Sequence, residues 1–317
     1  MFFQKFLNNT PFEIFNFGLT EVGKKIGEGG NCNVYQATYN GKKYAIKIYN
    51  SFSRRNLNTF YKDLSYELNI SNQLRRSSQS IHVHGIGYKK EPNNTKIIIY
   101  MDLLVSNGDL NDYIQNVAKW TASYKINGSL KPSPDIDDYL YYNKGENRYW
   151  IYTLSKVQKK KIIKSLAKAI NELHSYGIIH GDIKTSNLVL HNNIKKQKII
   201  LIDFGMSYMN KDSNKDSMEY ISGTIGYRAP EQEERRLSYA SDIYSIGVTM
   251  IEVWTGEIWY DGEDFDSCRN EVLISLEKIL KKENELGKLL KRVIHLEEEK
   301  RPTATELMNE LNKIRFY

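Results

Sequence analysis

The spacing of apolar and polar residues predicts strands along most of the first hundred residues. Residues 20–26 and 34–38 are predicted as two short strands around a glycine-rich turn, and residues 44–48 alternate as a half-buried strand does. Residues 97–101 form a continuous apolar run, which is typical of a buried strand. Residues 64–74 differ, because their apolar positions recur at roughly helical spacing. The pattern predicts a small sheet with one helix.

The rest of the chain favours helices, with one unusual connection between them. A helix is predicted over residues 110–117 and a long one from about residue 154. Residues 118–152 lie between them and are rich in tyrosine, with two prolines and an acidic run. So long a connection is commonly functional or disordered, but disordered segments are poor in aromatic residues. We expect a partly ordered insertion through which a partner could dock.

Two features of the predicted sheet are suited to binding a phosphate. Gly27, Gly29 and Gly30 lie in the turn between the first two strands. Glycines let backbone amides approach phosphate oxygens closely, in conformations that a side chain would obstruct. Lys47 lies in the alternating strand that follows. If it stood alone, the glycine-rich turn would more often be an ordinary hairpin turn. Lys47, if it stood alone, would more often be a solvated lysine.

The strongest chemical indication is the stretch 180–187, His-Gly-Asp-Ile-Lys-Thr-Ser-Asn, followed by Asp-Phe-Gly at 203–205. Phosphoryl transfer needs a carboxylate to orient the attacking hydroxyl, oxygen ligands for Mg²⁺, and a cation for the charge on the transferring oxygens. Asp182 can orient the hydroxyl, and Lys184 can supply the cation. Asn187 and Asp203 can be the metal ligands.

These two stretches resemble the catalytic and metal-binding loops of eukaryotic-type protein kinases. One residue departs from the family pattern, because Gly181 stands where most members carry arginine. In those members the arginine is commonly held by a phosphate on the activation loop. The loop here has hydroxyls at 213, 217, 220 and 222, and phosphorylation at 217 or 222 is expected to change turnover little. The alternative is that another basic residue, such as Arg228 or Lys211, substitutes for the missing arginine.

The other family motifs follow in the expected order. Lys47 resembles the strand lysine that contacts the nucleotide phosphates, and Glu67 its partner on the αC helix. Met101 resembles the gatekeeper, and 102–104 the hinge under the adenine. Cys32 replaces the third glycine of the glycine-rich loop. The residues that the resemblance assigns to ATP are Ile26, Gly27, Glu28, Gly29, Gly30, Asn31, Cys32, Asn33, Val34, Ala45, Lys47, Glu67 and Met101.

Three later segments complete the resemblance, which covers residues 20 to about 311. Residues 223–231, Gly-Thr-Ile-Gly-Tyr-Arg-Ala-Pro-Glu, resemble the end of the activation loop and part of the peptide platform. Residues 241–248 resemble the start of the buried αF helix, whose aspartate bonds the catalytic-loop backbone. Glu231 and Arg301 correspond to the family's structural ion pair.

The resemblance implies an α+β, bilobal protein kinase-like fold. Residues 20–102 would form a small, mainly antiparallel β lobe with the αC helix, and residues 103–317 a large, mainly α-helical lobe. Residues 1–19 are an aromatic N-terminal extension. It would be a strap packed on the small lobe or a segment for docking or self-regulation.

Composition agrees with a globular intracellular enzyme. The chain has 317 residues, 40% of them hydrophobic, and a net charge of +7. Lysine runs at 159–161 and 281–282 fall on predicted helices and are expected to be solvated, so nucleic-acid binding is not indicated. Cys32 and Cys268 fit neither a disulfide framework nor a metal site, which favours a reducing, cytoplasmic compartment. No apolar run reaches the roughly 18 residues of a membrane span, and residues 1–9 are too polar for a signal peptide.

Several functions remain open at this point. Lys184 and Thr224 resemble the serine/threonine-specific members, so the expected activity is transfer of the γ-phosphate of MgATP to serine and threonine hydroxyls of proteins. Cys32 would suit a pseudokinase that serves as a binding scaffold. The pattern His-Gly-Asp followed by Asn187 also fits aminoglycoside and choline kinases, although these distant relatives lack the platform of 223–231. A kinase that acts mainly by recruitment through the insertion is the fourth alternative.

Overall fold

The computed structural model describes residues 2–29, 32–49, 57–91, 94–104, 106, 108–117, 140–143, 148–151, 154–193, 196–209, 221–257 and 264–315. Two predicted nucleotide-binding residues, Gly30 and Asn31, lie outside this set. Most of the predicted insertion and the activation-loop hydroxyls at 213, 217 and 220 also lie outside it.

A six-stranded sheet dominates the small lobe. Its strands are β1 (Glu13–Ile14), β2 (Thr20–Gly29), β3 (Cys32–Tyr39), β4 (Lys42–Tyr49), β5 (Val83–Glu91) and β6 (Asn94–Met101). They are ordered β1-β5-β6-β4-β3-β2. All neighbours are antiparallel except β1 and β5, which run parallel.

The apolar run in β6 is buried on both faces, as its composition predicts. Ile97 and Ile99 pack on one face with Leu64 and Leu68 of the helix α2 (Leu57–Gln73). Ile98, between them, packs on the opposite face. Successive side chains of a strand point to opposite faces, so this one strand contributes to both layers of the lobe.

The N-terminal extension lies against the small lobe at two places. In helix α1 (Phe2–Asn9), Phe6 is buried and its ring lies 5.3 Å from that of Tyr61 on α2. Phe15, just after β1, packs on the other face of the sheet and stacks on Tyr39 at 4.5 Å. Its ring fills space above Gly85, where a Cβ atom would lie only 2.6 Å from it. The extension thus contacts both faces of the sheet.

Helices build the large lobe around one central helix. They are α3 (Leu110–Val117), α4 (Lys156–Ser175), α5 (Pro230–Glu233), α6 (Tyr239–Thr255), α7 (Phe265–Lys282), α8 (Asn284–Val293) and α9 (Ala304–Lys313). Every residue of α6 from 241 to 255 is buried. A helix that is apolar on all sides belongs in the interior, and α4, α7 and α8 pack against this one.

Three pairs of short antiparallel strands complete the large lobe. They are β7 (Leu140–Asn143) with β8 (Arg148–Ile151), β9 (Ile178–Ile179) with β12 (Tyr208–Met209), and β10 (Leu188–Asn193) with β11 (Lys196–Leu201). The first pair belongs to the predicted insertion. The other two flank the segment 180–187, so they position its ends.

The predicted α+β, bilobal architecture is confirmed, with one correction to the lysine runs. Lys159 has an exposed fraction of 0%, because it falls on the same stripe of α4 as Ile162 and Ile163. Its ammonium lies 5.8 Å from the ring centroid of Trp254 on α6. The expectation of a solvated side chain is therefore wrong at this position. Within the described residues, no helix is both long and apolar enough to span a membrane.

Candidate active site

A buried lysine on β4 connects three parts of the site. Lys47 lies between Val34 of β3 and Ile99 of β6 in the sheet. Its ammonium donates to Oε1 of Glu67 at 3.1 Å and to Oδ1 of Asp203 at 3.0 Å. The sheet, the helix α2 and the Asp-Phe-Gly segment are thus joined through one cation.

Electrostatics keep this lysine charged. Burial alone would lower the pKa of Lys47, but the carboxylate of Glu67, with smaller contributions from Tyr49 and Asp203, raises the pKa well above its usual value. Tyr49 donates its hydroxyl to Oε2 of Glu67 at 3.0 Å. Burial raises the pKa of Tyr49 well above 10.0, so this hydroxyl keeps its proton. Each oxygen of Glu67 therefore accepts a bond from a fixed donor.

Asp203 has an uncommon backbone conformation. Its φ of +61° lies in the left-handed region, which is uncommon for a residue other than glycine. Burial would raise the pKa of its carboxyl, but Lys47 outweighs burial and lowers the pKa, so Asp203 is ionised. Half of its side chain remains exposed, whereas the next residue, Phe204, is buried with its ring 5.4 Å from that of His180.

The segment 180–187 brings the two predicted catalytic residues, Asp182 and Lys184, together at the hydroxyl of Thr224. Oδ1 of Asp182 accepts the hydroxyl of Thr224 at 2.8 Å. Lys184 donates to the same hydroxyl oxygen at 2.7 Å and lies 3.1 Å from Oδ2 of Asp182. A carboxylate and an ammonium therefore hold one hydroxyl between them.

Asn187 is positioned by the same carboxylate. Its amide nitrogen donates to Oδ2 of Asp182 at 2.9 Å and to the Asp182 carbonyl at 2.8 Å. Both bonds use the nitrogen, so the amide oxygen is the atom of Asn187 that would bind a metal. Together with the ionised Asp203 it offers the oxygen ligands that Mg²⁺ prefers. The residues present therefore fit the metal that the sequence predicts.

Asp242, near the start of α6, holds the backbone of the catalytic loop. Its carboxylate accepts the backbone N–H of His180 at 2.7 Å and that of Gly181 at 2.9 Å. His174 of α4 lies 3.0 Å from the same carboxylate. Charge-assisted bonds to backbone donors are among the stronger hydrogen bonds, so the loop is tied to the central helix.

The glycine-rich hairpin covers the site from the small lobe. Gly27 pairs with Val34, and Gly29 pairs with Cys32 at the last described positions of β2 and β3. Cys32 is half-buried, and its sulfur lies 3.2 Å from where a Cβ atom of Gly29 would stand. Burial raises the pKa of this thiol, and Lys47 offsets that only in part. The thiol is therefore a weak nucleophile at neutral pH.

The other predicted nucleotide residues lie along the same strands. Ala45 of β4 is buried and pairs with Met101 at the end of β6, next to the predicted hinge. Ile26 is exposed. The exposed carboxylate of Glu28 forms an ion pair with the ammonium of Lys25, at 2.5 Å. Asn33, the remaining residue of this set, lies in β3 opposite Ile48 of β4.

A buried ion pair holds the end of the activation segment. The two terminal guanidinium nitrogens of Arg301, Nη1 and Nη2, donate to Glu231 at 2.6 and 2.9 Å. The side chain of Arg301 is 0% exposed and that of Glu231 is 3% exposed. Burial would raise the pKa of Glu231, but Arg301 outweighs burial and lowers it. The guanidinium also donates to the carbonyls of His295, Leu296 and Ala240. Every part of this pair is thus hydrogen-bonded.

Two buried polar residues of the site could not be identified from the sequence. Glu252 of α6 is fully buried and accepts the hydroxyls of Tyr227 at 2.5 Å and Thr185 at 3.1 Å. Burial raises its pKa to about 8. Gln232 follows Glu231 in the chain and bonds the catalytic loop. Both contacts depend on residues distant in sequence, so spacing within one motif could not reveal them.

Comparisons with known proteins agree with this geometry. The chain matches the family described as Protein kinase domain over residues 20–311. It is 30% identical over 184 residues to serine/threonine-protein kinase D of Synechocystis sp., covering 56% of this chain and 35% of that protein. It is also 30% identical over 244 residues to the LRR receptor-like serine/threonine-protein kinase ERL1 of Arabidopsis thaliana. This match covers 75% of the present chain and 21% of that protein. The chain thus spans about a third or less of the length of these relatives.

Proposed function

The chain belongs to the protein kinase domain family, and from this membership we propose that it transfers the γ-phosphate of MgATP to serine and threonine hydroxyls of proteins. The observation that carries the proposal is the arrangement of Asp182, Lys184 and Thr224. Asp182 already accepts a hydroxyl bond at 2.8 Å, in the way it would accept that of a substrate. Free cysteines at 32 and 268 are compatible with a reducing compartment for this activity.

Each residue of the site has a role in this reaction. Asp182 orients the acceptor hydroxyl and takes its proton, and Lys184 neutralises charge on the transferring phosphoryl group. Lys47, held by Glu67, contacts the α- and β-phosphates. Asn187 and Asp203 would hold the Mg²⁺, which supplies charge neutralisation between the phosphates when bound.

The acceptor preference rests on Thr224. Its hydroxyl receives a bond from Lys184 at 2.7 Å and donates to Asp182, so this residue closes the platform beside the reacting hydroxyl. Serine and threonine are short acceptors that can reach a carboxylate placed so close to the platform. Tyrosine has a longer side chain, so its hydroxyl could reach Asp182 only if the platform lay further from that carboxylate.

A direct assay tests the proposal. The purified chain is incubated with γ-labelled ATP, Mg²⁺ and a mixed protein substrate, and the labelled amino acids are identified after hydrolysis. Parallel samples contain small alcohols and aminoglycosides. We expect label on phosphoserine and phosphothreonine. Label only on small molecules would favour the aminoglycoside or choline type of transfer, and no label with intact ATP binding would favour a scaffold.

Two variants assign the chemistry to residues. Asp182→Asn and Asp203→Asn are nearly isosteric, and we expect each to lower turnover at least about a hundredfold. Asp264→Asn is the matched control, because Asp264 only caps α7 by accepting the N–H of Ser267 at 2.9 Å. A folded Asp182→Asn protein with turnover within tenfold of the wild type would contradict the assignment.

A further inference from the structure

One buried side chain bridges the catalytic loop and the end of the activation segment. Gln232, in α5, is 1% exposed. Its amide nitrogen lies 3.2 Å from the carbonyl of Gly181 and 3.3 Å from both the carbonyl and the hydroxyl oxygen of Ser222. Residues 181 and 222 belong to segments that are also joined nearby by the bonds of Thr224 to Asp182 and Lys184, but at the backbone of Gly181 the described side chain that bridges them is that of Gln232.

The orientation of this amide is determined by its other end. The backbone N–H of Ala229 donates to Oε1 of Gln232 at 2.9 Å. A backbone N–H can only donate, so the atom that faces it is the oxygen, and the nitrogen must face the two carbonyls. Glutamine is the ordinary side chain that offers an acceptor and two donors over this span without a charge.

Two glycines allow the backbones of the catalytic loop and the activation segment to pass close to each other. Gly223 has φ +85°, and a Cβ atom there would lie 2.9 Å from Nε2 of Gln232 and 3.1 Å from the carbonyl of Gly181. Gly181 has φ +79°, and a Cβ atom there would lie 2.6 Å from the carbonyl of Met206. The two backbones therefore approach more closely than any residue with a side chain would allow.

From this geometry we propose that Gln232 is a positioning residue that fixes the catalytic loop to the activation segment, so that the site assembles without a phosphate on that segment. The proposal rests on the proposed kinase function. Where a family member carries arginine at the position of Gly181, a phosphate on the activation loop commonly completes the contact. Here a neutral amide completes it, and the arginine position is filled by a glycine whose surroundings exclude a side chain.

Neighbouring groups agree with a phosphate-independent connection. Ser222 is 2% exposed, and its hydroxyl already bonds to Gln232. In this conformation it is therefore not accessible to a modifying enzyme. Arg228 is also engaged, since it pairs with Glu233 at 2.6 Å and donates to the carbonyl of Gly223 at 2.9 Å. Both partners lie in or next to the end of the activation segment, so Arg228 braces that segment rather than the catalytic loop.

Two substitutions test the bridge. Gln232→Glu keeps the oxygen that accepts from Ala229 but replaces the donor with a second oxygen facing two carbonyls. Gln232→Met keeps the length and loses both functions, which provides a second variant if the charged one does not fold. The control is Glu306→Ala, because Glu306 accepts the N–H of Thr303 at 2.8 Å in an equivalent cap at the start of α9. It removes a cap without touching the catalytic loop.

The measurements are made on phosphatase-treated protein. We expect the wild type to keep its peptide kcat/KM within twofold of the untreated enzyme. Gln232→Glu and Gln232→Met should lower kcat/KM at least tenfold, with the Kd for MgATP within twofold, and Glu306→Ala should leave both unchanged. Hydrogen exchange should become faster at residues 180–187 and 221–228 in the Gln232 variants only.

The exchange measurement separates this inference from the proposed function. If the wild type transfers no phosphate to any peptide, the proposed function fails, but faster exchange in the two segments would still support the bridge. Unchanged exchange, or a kcat/KM within twofold of the wild type in both variants, overturns the inference. So does a loss of tenfold or more when the wild type is treated with phosphatase.

Discussion

The two lobes hold their halves of the site by different kinds of contact. In the small lobe, Glu67 is carried by α2, which packs through an aromatic cluster consisting of Phe3, Phe6, Tyr49, Phe60 and Tyr61. In the large lobe, the catalytic loop donates backbone hydrogen bonds to Asp242 and accepts one from Gln232, and the end of the activation segment is held by the Glu231–Arg301 pair.

This difference determines how each half can fail. Apolar packing is non-directional, so the loss of one contact on α2 can be partly compensated by repacking of its neighbours. Buried polar bonds are directional, and an unsatisfied partner is costly. The small lobe should therefore lose activity gradually when its packing is weakened. The large lobe should lose stability abruptly when one partner is removed.

The largest effect is expected at the buried ion pair. Arg301→Met leaves Glu231 buried without its partner, which should lower the free energy of unfolding by about 3–5 kcal/mol. Arg236→Met is the control, because Arg236 is 46% exposed and its pairs with Glu234 and Glu298 are screened. Urea denaturation measures both. Equal midpoints for the two variants would contradict the contrast between buried and exposed pairs.

A smaller effect is expected in the small lobe, and it should appear in activity. Phe6→Ala removes a ring that packs on α2, whereas Phe15→Ala removes a similarly buried ring on the other face of the sheet. Both should destabilise the lobe by about 3 kcal/mol, the lower end of the range for a buried phenylalanine. Only Phe6→Ala should also lower kcat/KM, by about tenfold or ~1.4 kcal/mol, since it loosens the helix that carries Glu67.

The measurement is peptide phosphorylation at a temperature where both variants are folded. Equal losses of activity in the two variants would show that stability alone is responsible, and the aromatic cluster would then have no part in positioning Glu67.

The smallest effect is expected where the lobes meet. His82 lies 3.3 Å from Asp102, and His84 lies 2.6 Å from the same carboxylate. The bond with Asp102 raises the pKa of His82 above 6.5, although burial opposes it. Its stabilising contribution is therefore complete below pH 6.5 and is lost as the pH rises through the higher pKa of the folded protein.

We expect His82→Asn to lower stability at pH 6 by less than about 1 kcal/mol, because the pair is partly exposed, and by still less at pH 9. The pKa of Asp102 is lowered to about 2, so this carboxylate stays ionised throughout the range. Thermal unfolding at both pH values measures the difference. A pH-dependent effect of His82→Asn that persists in an Asp102→Asn background would show that another group is responsible.

Local motifs were enough to assign candidate residues of the site from the sequence. Lys47, Glu67, Asp182 and Asn187 could be assigned because phosphoryl transfer requires particular groups at fixed spacings, and the strands and helix that carry them follow their apolar patterns. The structure brings these residues together through the contacts described above. Their individual roles in catalysis stay predictions.

Contacts between distant segments could not be predicted in the same way. Gln232 and Glu252 are ordinary polar residues in sequence, and only tertiary packing buries them. Lys159 was expected in solvent because charge suggested a surface, but its position on the helix decides its burial. Gly85 gave no indication that a ring from the N-terminal extension would lie above it. In each case the deciding neighbour is far along the chain.

The central helix α6 also determines when the site can exist during protein synthesis. Asp242 follows Gly181, whose backbone it holds, by 61 residues, and Arg301 follows Glu231 by 70 residues. At roughly 5–20 residues per second, a ribosome takes about 3–12 s to pass from the catalytic loop to the residue that anchors it. The emerging chain therefore carries Asp182 for several seconds before the loop around it can be held in place. We therefore expect a truncated product that ends before α6 to be inactive.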